Sequence, residues 1–236
     1  MRFERKDKYT MDDLLSIMEI LRSPEGCPWD REQTHKTIRN NLIEETYEAV
    51  EAIDTENSEL LCEELGDVLL QVVFHAQLEK ETGGFDFSNV VDGVAQKLVE
   101  RHPHVFGNVT VKNSVEVLEN WDAIKRRTKG RRTVAEVLEG VSPALPALMR
   151  SQKLGKKALK AEGKVPEKAV ALSGVEEAAG KAAHLPASAG EQEKLQTVGK
   201  LLFSVATLSE ALGVNAEQAL AQYCDGFVRS YREANQ

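Results

Sequence analysis

Hydrophobic residues along this chain recur mostly at steps of three and four, the spacing of one helical face, and almost nowhere alternate as they do in a strand. Met11, Leu14, Leu15, Met18 and Leu21 mark a first helix, with Thr10 placed to cap it and Asp13 to complete a capping box. That helix ends before Pro24, and the segment SPEGCPWD, with two prolines and a glycine, reads as a loop. Ile38, Leu42, Ala49, Val50 and Ile53 mark a second helix ending near Asp54. A third follows Asn57 and Ser58 and runs to the region of Lys80, where the Gly83-Gly84 pair stops it. Ser88 is placed to cap a fourth helix reaching Arg101, HPHVFGNVTV reads as irregular, and Asn113 with Glu116 boxes a fifth that carries Trp121.

Six basic residues fill the eight positions from Lys125 to Arg132, a stretch that reads as a linker. Beyond it, Ser142-Pro143 is a helix start, the segments 163–166 and 186–190 are loops between further helices, and Asn215 with Gln218 boxes the last one. The expected fold class is all-α, in two helical-bundle modules over residues 1–130 and 131–236. The halves also align: Glu44-Glu45 falls on Glu176-Glu177, and Gly66-Asp67-Val68-Leu69-Leu70 on Gly199-Lys200-Leu201-Leu202-Phe203, at nearly constant offset. An internal duplication is the simplest account.

Composition narrows the function. With 42% hydrophobic and 29% charged residues the 236-residue chain falls in the globular range, and 30 Lys and Arg against 38 Asp and Glu leave a net charge of −8. A non-specific basic footprint for nucleic acid or anionic lipid is therefore absent. Cys27, Cys62 and Cys224 are odd in number, far apart and without a CxxC, so neither a disulfide framework nor a zinc clip is indicated, and a reducing cytoplasmic setting fits. No apolar run suggests a secretory signal or a membrane span.

The candidate chemistry lies on the second and third helices. In the second, Glu45 sits at the edge of the apolar stripe with Glu48 further round, while Glu44 and Glu51 point away. The third helix is apolar nearly all round, as in a buried helix, except for one file containing Glu64, Asp67, Gln71 and His75. Ionised carboxylates directed into a low-dielectric interior need cations or a metal to neutralise them. No basic partner stands nearby in the sequence. All-oxygen ligands suit a hard divalent ion, Mg²⁺ or as a substitute Mn²⁺, and Mg²⁺ commonly bridges protein carboxylates to phosphates. For Glu44, Glu51 and Glu63 a solvated face is the simpler reading. A carboxylate-bridged di-iron site would need Glu-x-x-His pairs, and none occurs.

NLIEETYEAVEAID (Asn41 to Asp54) followed by EELGDVLLQVVFHA (Glu63 to Ala76) resembles the MazG nucleoside triphosphate pyrophosphohydrolases of the all-α NTP pyrophosphatase superfamily, whose signature pairs EExxE with ExxD. CPWDREQTH (Cys27 to His35), RHPHVF (Arg101 to Phe106) and the run Trp121 to Lys125 are similar to that family's N-terminal module. The resemblance implies hydrolysis of a nucleoside triphosphate to monophosphate and pyrophosphate, with Mg²⁺ held by Glu45, Glu48, Glu64 and Asp67. Glu44 is a candidate to position the attacking water. The second half resembles the family's C-terminal module more weakly: Gly180 stands for Glu48, Thr197 for Glu64 and Lys200 for Asp67. A lysine offers no lone pair to a metal, so the second module is expected to be degenerate.

Several groups carry two readings. Lys97 and Arg101, one helical turn apart, suit a triphosphate but also an exposed basic face. Trp121 and Lys125 are candidates to close over the nucleotide, and Asn41 to read a base edge or a phosphate. Lys125 equally suits a helix C-terminus, and Trp29 and Trp121 equally suit the core. His75 reads as a hydrogen-bonded core histidine or an orienting group, and His102 and His104 as structural. A homodimer is expected, because so apolar a third helix needs partner surface. Narrower pyrophosphohydrolysis of dUTP, dCTP or phosphoribosyl-ATP, and a non-catalytic helical interaction protein, remain as alternatives.

Overall fold

The computed structural model describes residues 3–128 and 133–234, without the side chains of residues 119, 122 and 125–128. The described residues are helical and contain no strand. The chain divides into two compact units, Met1–Ile124 and Lys125–Gln236.

In the first unit α1 (Met11–Arg22) opens with the Thr10 and Asp13 capping box. A short α2 (Pro28–Glu32) follows. The loop expected over SPEGCPWD is thus helical at its end: Pro28 occupies the first helical position, where a missing N–H costs nothing. α3 (Arg39–Asp54) and α4 (Ser58–Thr82) form a hairpin. Asn57 caps α4 through Leu60 N–H at 3.1 Å, and Gly83 ends it in the left-handed region at φ 77°, a conformation that favours glycine. α5 (Phe87–Arg101) has its cap two residues before the expected Ser88. Asp86 and Asn89 cap it reciprocally, because Asp86 receives Asn89 N–H at 3.1 Å while Ser88 merely donates to Asp86. Pro103–Phe106 forms one short helix, α6, inside the stretch expected to be irregular, again started by a proline. α7 (Ser114–Thr128) carries Trp121 and continues through the first half of the expected linker; residues 129–132 lie outside the described residues.

The core of this unit gathers Met18, Ile38, Val73, Phe74 and Leu78, so it grips the second half of α4. Arg22 fastens the same end. Its guanidinium bonds both carboxylate oxygens of Glu81 (2.8 and 2.7 Å), donates to the Asp30 carbonyl and lies 5.4 Å from the Phe74 ring centre. The first half of α4 packs mainly on α3, and here the expectation of a buried third helix fails. Leu65 is 54% exposed, and Ile43, Tyr47, Val50 and Ile53 on α3 are also exposed. Among the described residues of this unit, no further element packs on that face of α3 and α4.

The second unit contains α8 (Val134–Glu139), α9 (Ala147–Ala161), α10 (Lys168–Ala183), α11 (Glu191–Ala211) and α12 (Ala216–Ala234). The expected start at Ser142-Pro143 is a turn, and α9 begins after Pro146. α10 and α11 pair as α3 and α4 do, around the small buried residues Ala171, Ala178, Ser204 and Ala206. Gly155 lets α9 approach α11 closely, since a Cβ there would stand 3.1 Å from the Thr207 hydroxyl. Among the described residues no single helix is long and apolar enough to cross a membrane.

Replacing Arg22 removes a nearly buried cation and leaves Glu81 without its partner. Arg22→Met is expected to lower stability by about 1–3 kcal/mol in urea unfolding. A change within a few tenths would show that the α1–α4 clamp contributes little.

Candidate metal centre

The hairpin sets the geometry of the acidic groups. Glu45 and Glu48 lie three residues apart on α3, and Glu64 faces them from α4, so one carboxylate oxygen from each falls within 4.8 Å of the others. Glu64 is 9% exposed, Glu45 half-buried and Glu48 exposed. The cluster therefore has one shielded wall and one open side. Asp67, half-buried one turn beyond Glu64, acts on both Glu45 and Glu64 through its charge.

Electrostatics reports the crowding directly. Burial, then the charges of Asp67 and Glu48 and a hydrogen bond with Glu48, raises the Glu45 pKa. Burial, then Glu48, Asp67, Glu63 and Glu51, raises that of Glu64. No cation among the described residues forms an ion pair with this set. Glu51 and Glu63, which the sequence reading left to solvent, thus contribute to the field; their spacing of three from Glu48 and of one from Glu64 was the available signal.

Such a donor set fits a divalent cation. Three carboxylate oxygens converge, nearby acids add negative charge, and neither thiolate nor imidazole belongs to the group, the profile of a hard oxygen-bound ion. The raised pKa values state the same fit energetically: these groups resist ionising together until positive charge joins them.

The remaining candidate residues are dispersed. Asn41 is half-buried in the first turn of α3, and Glu44 is exposed beside Glu45. Lys97 is exposed on α5 and makes no ion pair among the described residues. Arg101 stacks its guanidinium 5.5 Å from the Trp121 ring centre, whose other contact is the edge-on ring of His102 at 4.9 Å. Trp121 is therefore engaged within this cluster, and the side chain of Lys125 lies outside the described residues. Trp29, given a core reading as one option, is 57% exposed on α2.

His75 belongs to a network that sequence alone did not connect. Its Nδ1 lies 2.8 Å from Nδ1 of His35, the rings are parallel within 3°, and His35 Nε2 sits 3.0 Å from Glu79 Oε1. Burial, then the neighbouring His35, lowers the His75 pKa. A neutral pair, with His35 donating to Glu79 and accepting from His75, satisfies every close contact. It pins the segment leading into α3 against α4, and so fixes the hairpin that carries the acids.

Comparison with known proteins agrees with this geometry. The model of the MazG nucleotide pyrophosphohydrolase domain matches residues 33–106, which include the whole acid-bearing hairpin. The chain is 40% identical over 224 residues to the nucleoside triphosphate pyrophosphohydrolase/pyrophosphatase MazG of Thermotoga maritima, covering 94% of this chain and 84% of that one. The chain belongs to the MazG family. A nucleoside triphosphate pyrophosphohydrolase of Escherichia coli K12 is likewise 40% identical, over 231 residues, covering 94% of this chain and 86% of its own. The MazG-family protein of that name from Mycobacterium tuberculosis is 37% identical over 149 residues, 61% of this chain and 45% of its own length.

The pH response of the cation-free protein follows from the raised carboxyls. Folded Glu45 and Glu64 hold protons more tightly than unfolded ones, so stability falls as pH rises from the ordinary carboxylate range through the raised values. Asp13, Glu81, Asp86 and Glu177, with lowered pKa values, act in a separate window at lower pH. Melting scans in EDTA are expected to show this loss as pH rises above about 4.5 when wild type is compared with Glu64→Gln, a difference that cancels the opposite contribution of His75, and to show it relieved by Mg²⁺. An unchanged slope in Glu64→Gln would contradict the assignment.

Proposed function

We propose that the chain hydrolyses nucleoside triphosphates to nucleoside monophosphate and pyrophosphate, as its relatives' names state for them, and does so at the first-unit hairpin with Mg²⁺. The observation that carries the site is the convergence of Glu45, Glu48 and Glu64, with the Glu45 and Glu64 carboxyls held above their ordinary pKa and no ion pair to any of the three among the described residues. Glu45, Glu48, Glu64 and Asp67 would hold the metal. When bound, Mg²⁺ supplies positive charge against phosphate oxygens and a lowered pKa for a coordinated water.

The chain's own groups do the remaining work. The open side beside exposed Glu48 admits the triphosphate, while α4 shields Glu64 from competing water. Glu44, exposed next to Glu45, has the role of positioning the attacking water in this mechanism. Asn41 offers an amide to the nucleotide from the first turn of α3. Lys97, and Arg101 with Trp121, form the phosphate and base contacts of this reading, with Lys125 completing them. No covalent nucleophile is required.

The second unit is the degenerate copy in this account. Lys181 bonds Glu177 at 2.6 Å and lowers its pKa, and Lys200, in the Asp67 register, adds a smaller effect in the same direction. A homodimer covers the exposed face formed by Ile43, Tyr47, Val50, Leu65 and Leu69. The three cysteines are free, as suits a reducing cytosol.

Product analysis with the eight common ribo- and deoxyribonucleoside triphosphates tests the reading. Monophosphate and pyrophosphate are expected with Mg²⁺ and not with EDTA, and turnover should fall by about a hundredfold or more in Glu64→Gln. Activity confined to one nucleotide would replace the broad reading with a narrow pyrophosphohydrolase. Release of inorganic phosphate alone, or full activity in Glu64→Gln, would refute it. Light scattering should give twice the chain mass, and Leu65→Asp should halve it.

A further inference from the structure

The second unit contains an open cavity of about 280 Å³ bordered by the end of α9, the segment 164–167 and one face each of α10 and α11. Its origin is visible in the internal register. Gly174 stands where the first half has Leu42, Ser204 where it has Gln71, and Thr207 where it has Phe74. In the first unit Gln71 and Phe74 are buried, at 6% and 4% exposure. Three large-to-small exchanges on facing helices empty the corresponding space in the second unit, and all three residues line the cavity. A Cβ built on Gly174 meets nothing within 4 Å, a separate sign of open volume.

The lining has a definite chemistry. Leu159, Val165, Val170 and Phe203 supply apolar walls, and two exposed lysines, Lys164 and Lys200, join one carboxylate, Glu167. Lys200 makes no ion pair within 4 Å among the described residues. Lys164 pairs with Glu162 at 2.8 Å, but both are largely exposed and such a pair exchanges readily. Apolar walls with two available cations suit a ligand that joins a flat apolar ring to an anionic group. A single acceptor at Glu167 suits a hydroxyl or amino donor on the same molecule. The volume lies just under the usual lower bound for ligand pockets, about 300 Å³, and so favours a ligand with a single phosphate over a triphosphate. The carboxylate triad found among the described residues lies in the first unit, whereas the lining here offers two lysines and one carboxylate to a charged ligand.

We propose that this cavity is a magnesium-independent binding site for a nucleoside monophosphate, its base against Val170 and Phe203 and its phosphate on Lys164 and Lys200. The site is separate from the first-unit acids and gives the degenerate copy a binding role of its own.

Calorimetric titration of the full chain in EDTA tests this, with AMP, GMP, CMP and UMP as probes beside the free nucleosides and inorganic phosphate. At least one monophosphate is expected to bind once per chain. Its nucleoside, and inorganic phosphate, should each bind about tenfold or more weakly, as should that monophosphate to Lys200→Ala. Gly174→Leu extends from a Cβ position with no neighbour within 4 Å and should abolish binding while leaving triphosphate turnover intact. Glu64→Gln should bind normally, which separates this test from that of the first-unit chemistry. Absence of saturable binding by any monophosphate, retention of binding in both Gly174→Leu and Lys200→Ala, or its loss in Glu64→Gln would overturn the proposal.

Discussion

Mutual repulsion among carboxylates that cannot all be ionised cheaply is the constraint on which the first unit turns. Glu45, Glu48 and Glu64 meet within 4.8 Å, Asp67 adds its charge, and no lysine or arginine among the described residues neutralises them. Folding alone gains nothing from such a cluster. Its energetic sense comes only from a cation that joins it, which makes the cluster a poor structural device and a good binding one. In the second unit the same register carries Lys200, Glu177 is paired with Lys181, and the repulsion is gone. With Gly180, Thr197 and Lys200 at the positions of Glu48, Glu64 and Asp67, the second helix pair lacks the carboxylates that repel one another in the first.

α4 divides its labour along its length. The second half is held by Met18, Ile38, Val73, Phe74 and Leu78 and by the Arg22 clamp on Glu81, while the first half presents Glu64 and Asp67 with little behind it except α3. His75 and Glu79, on the anchored half, hold His35 and so tie down the entry to α3. The rigid end thus sets the register of the acid-bearing end. The exposed leucines beside the acids mark the face left for another surface.

The hairpin and its acids were legible because they rest on local rules: periodicity of three and four, Asn57 as a cap, Gly83 as a stop and carboxylates at helical spacing. Caps were less legible where two candidates compete, as with Asp86 and Ser88, because only backbone geometry decides which side chain reaches the free N–H. Proline misled at Pro28 and Pro103, where it begins a short helix instead of breaking one. The burial of α4 was overestimated because a wheel registers which faces are apolar and not what covers them; Leu65 and Leu69 remain open in a single chain. Contacts between distant segments, such as His35 with His75 and Arg22 with Glu81, leave no periodic trace. Arg101 and Trp121 were singled out as separate groups, and their pairing was visible only in three dimensions.

The central claim is that the first-unit hairpin, and not its second-unit counterpart, holds the divalent ion. Electron paramagnetic resonance of Mn²⁺ added to the full chain measures this without requiring turnover. Tight Mn²⁺ binding should be present in the wild type and in Glu177→Gln and lost when Glu45 and Glu64 are both replaced by glutamine. Binding that survives the double replacement, or that disappears in Glu177→Gln, would contradict the account.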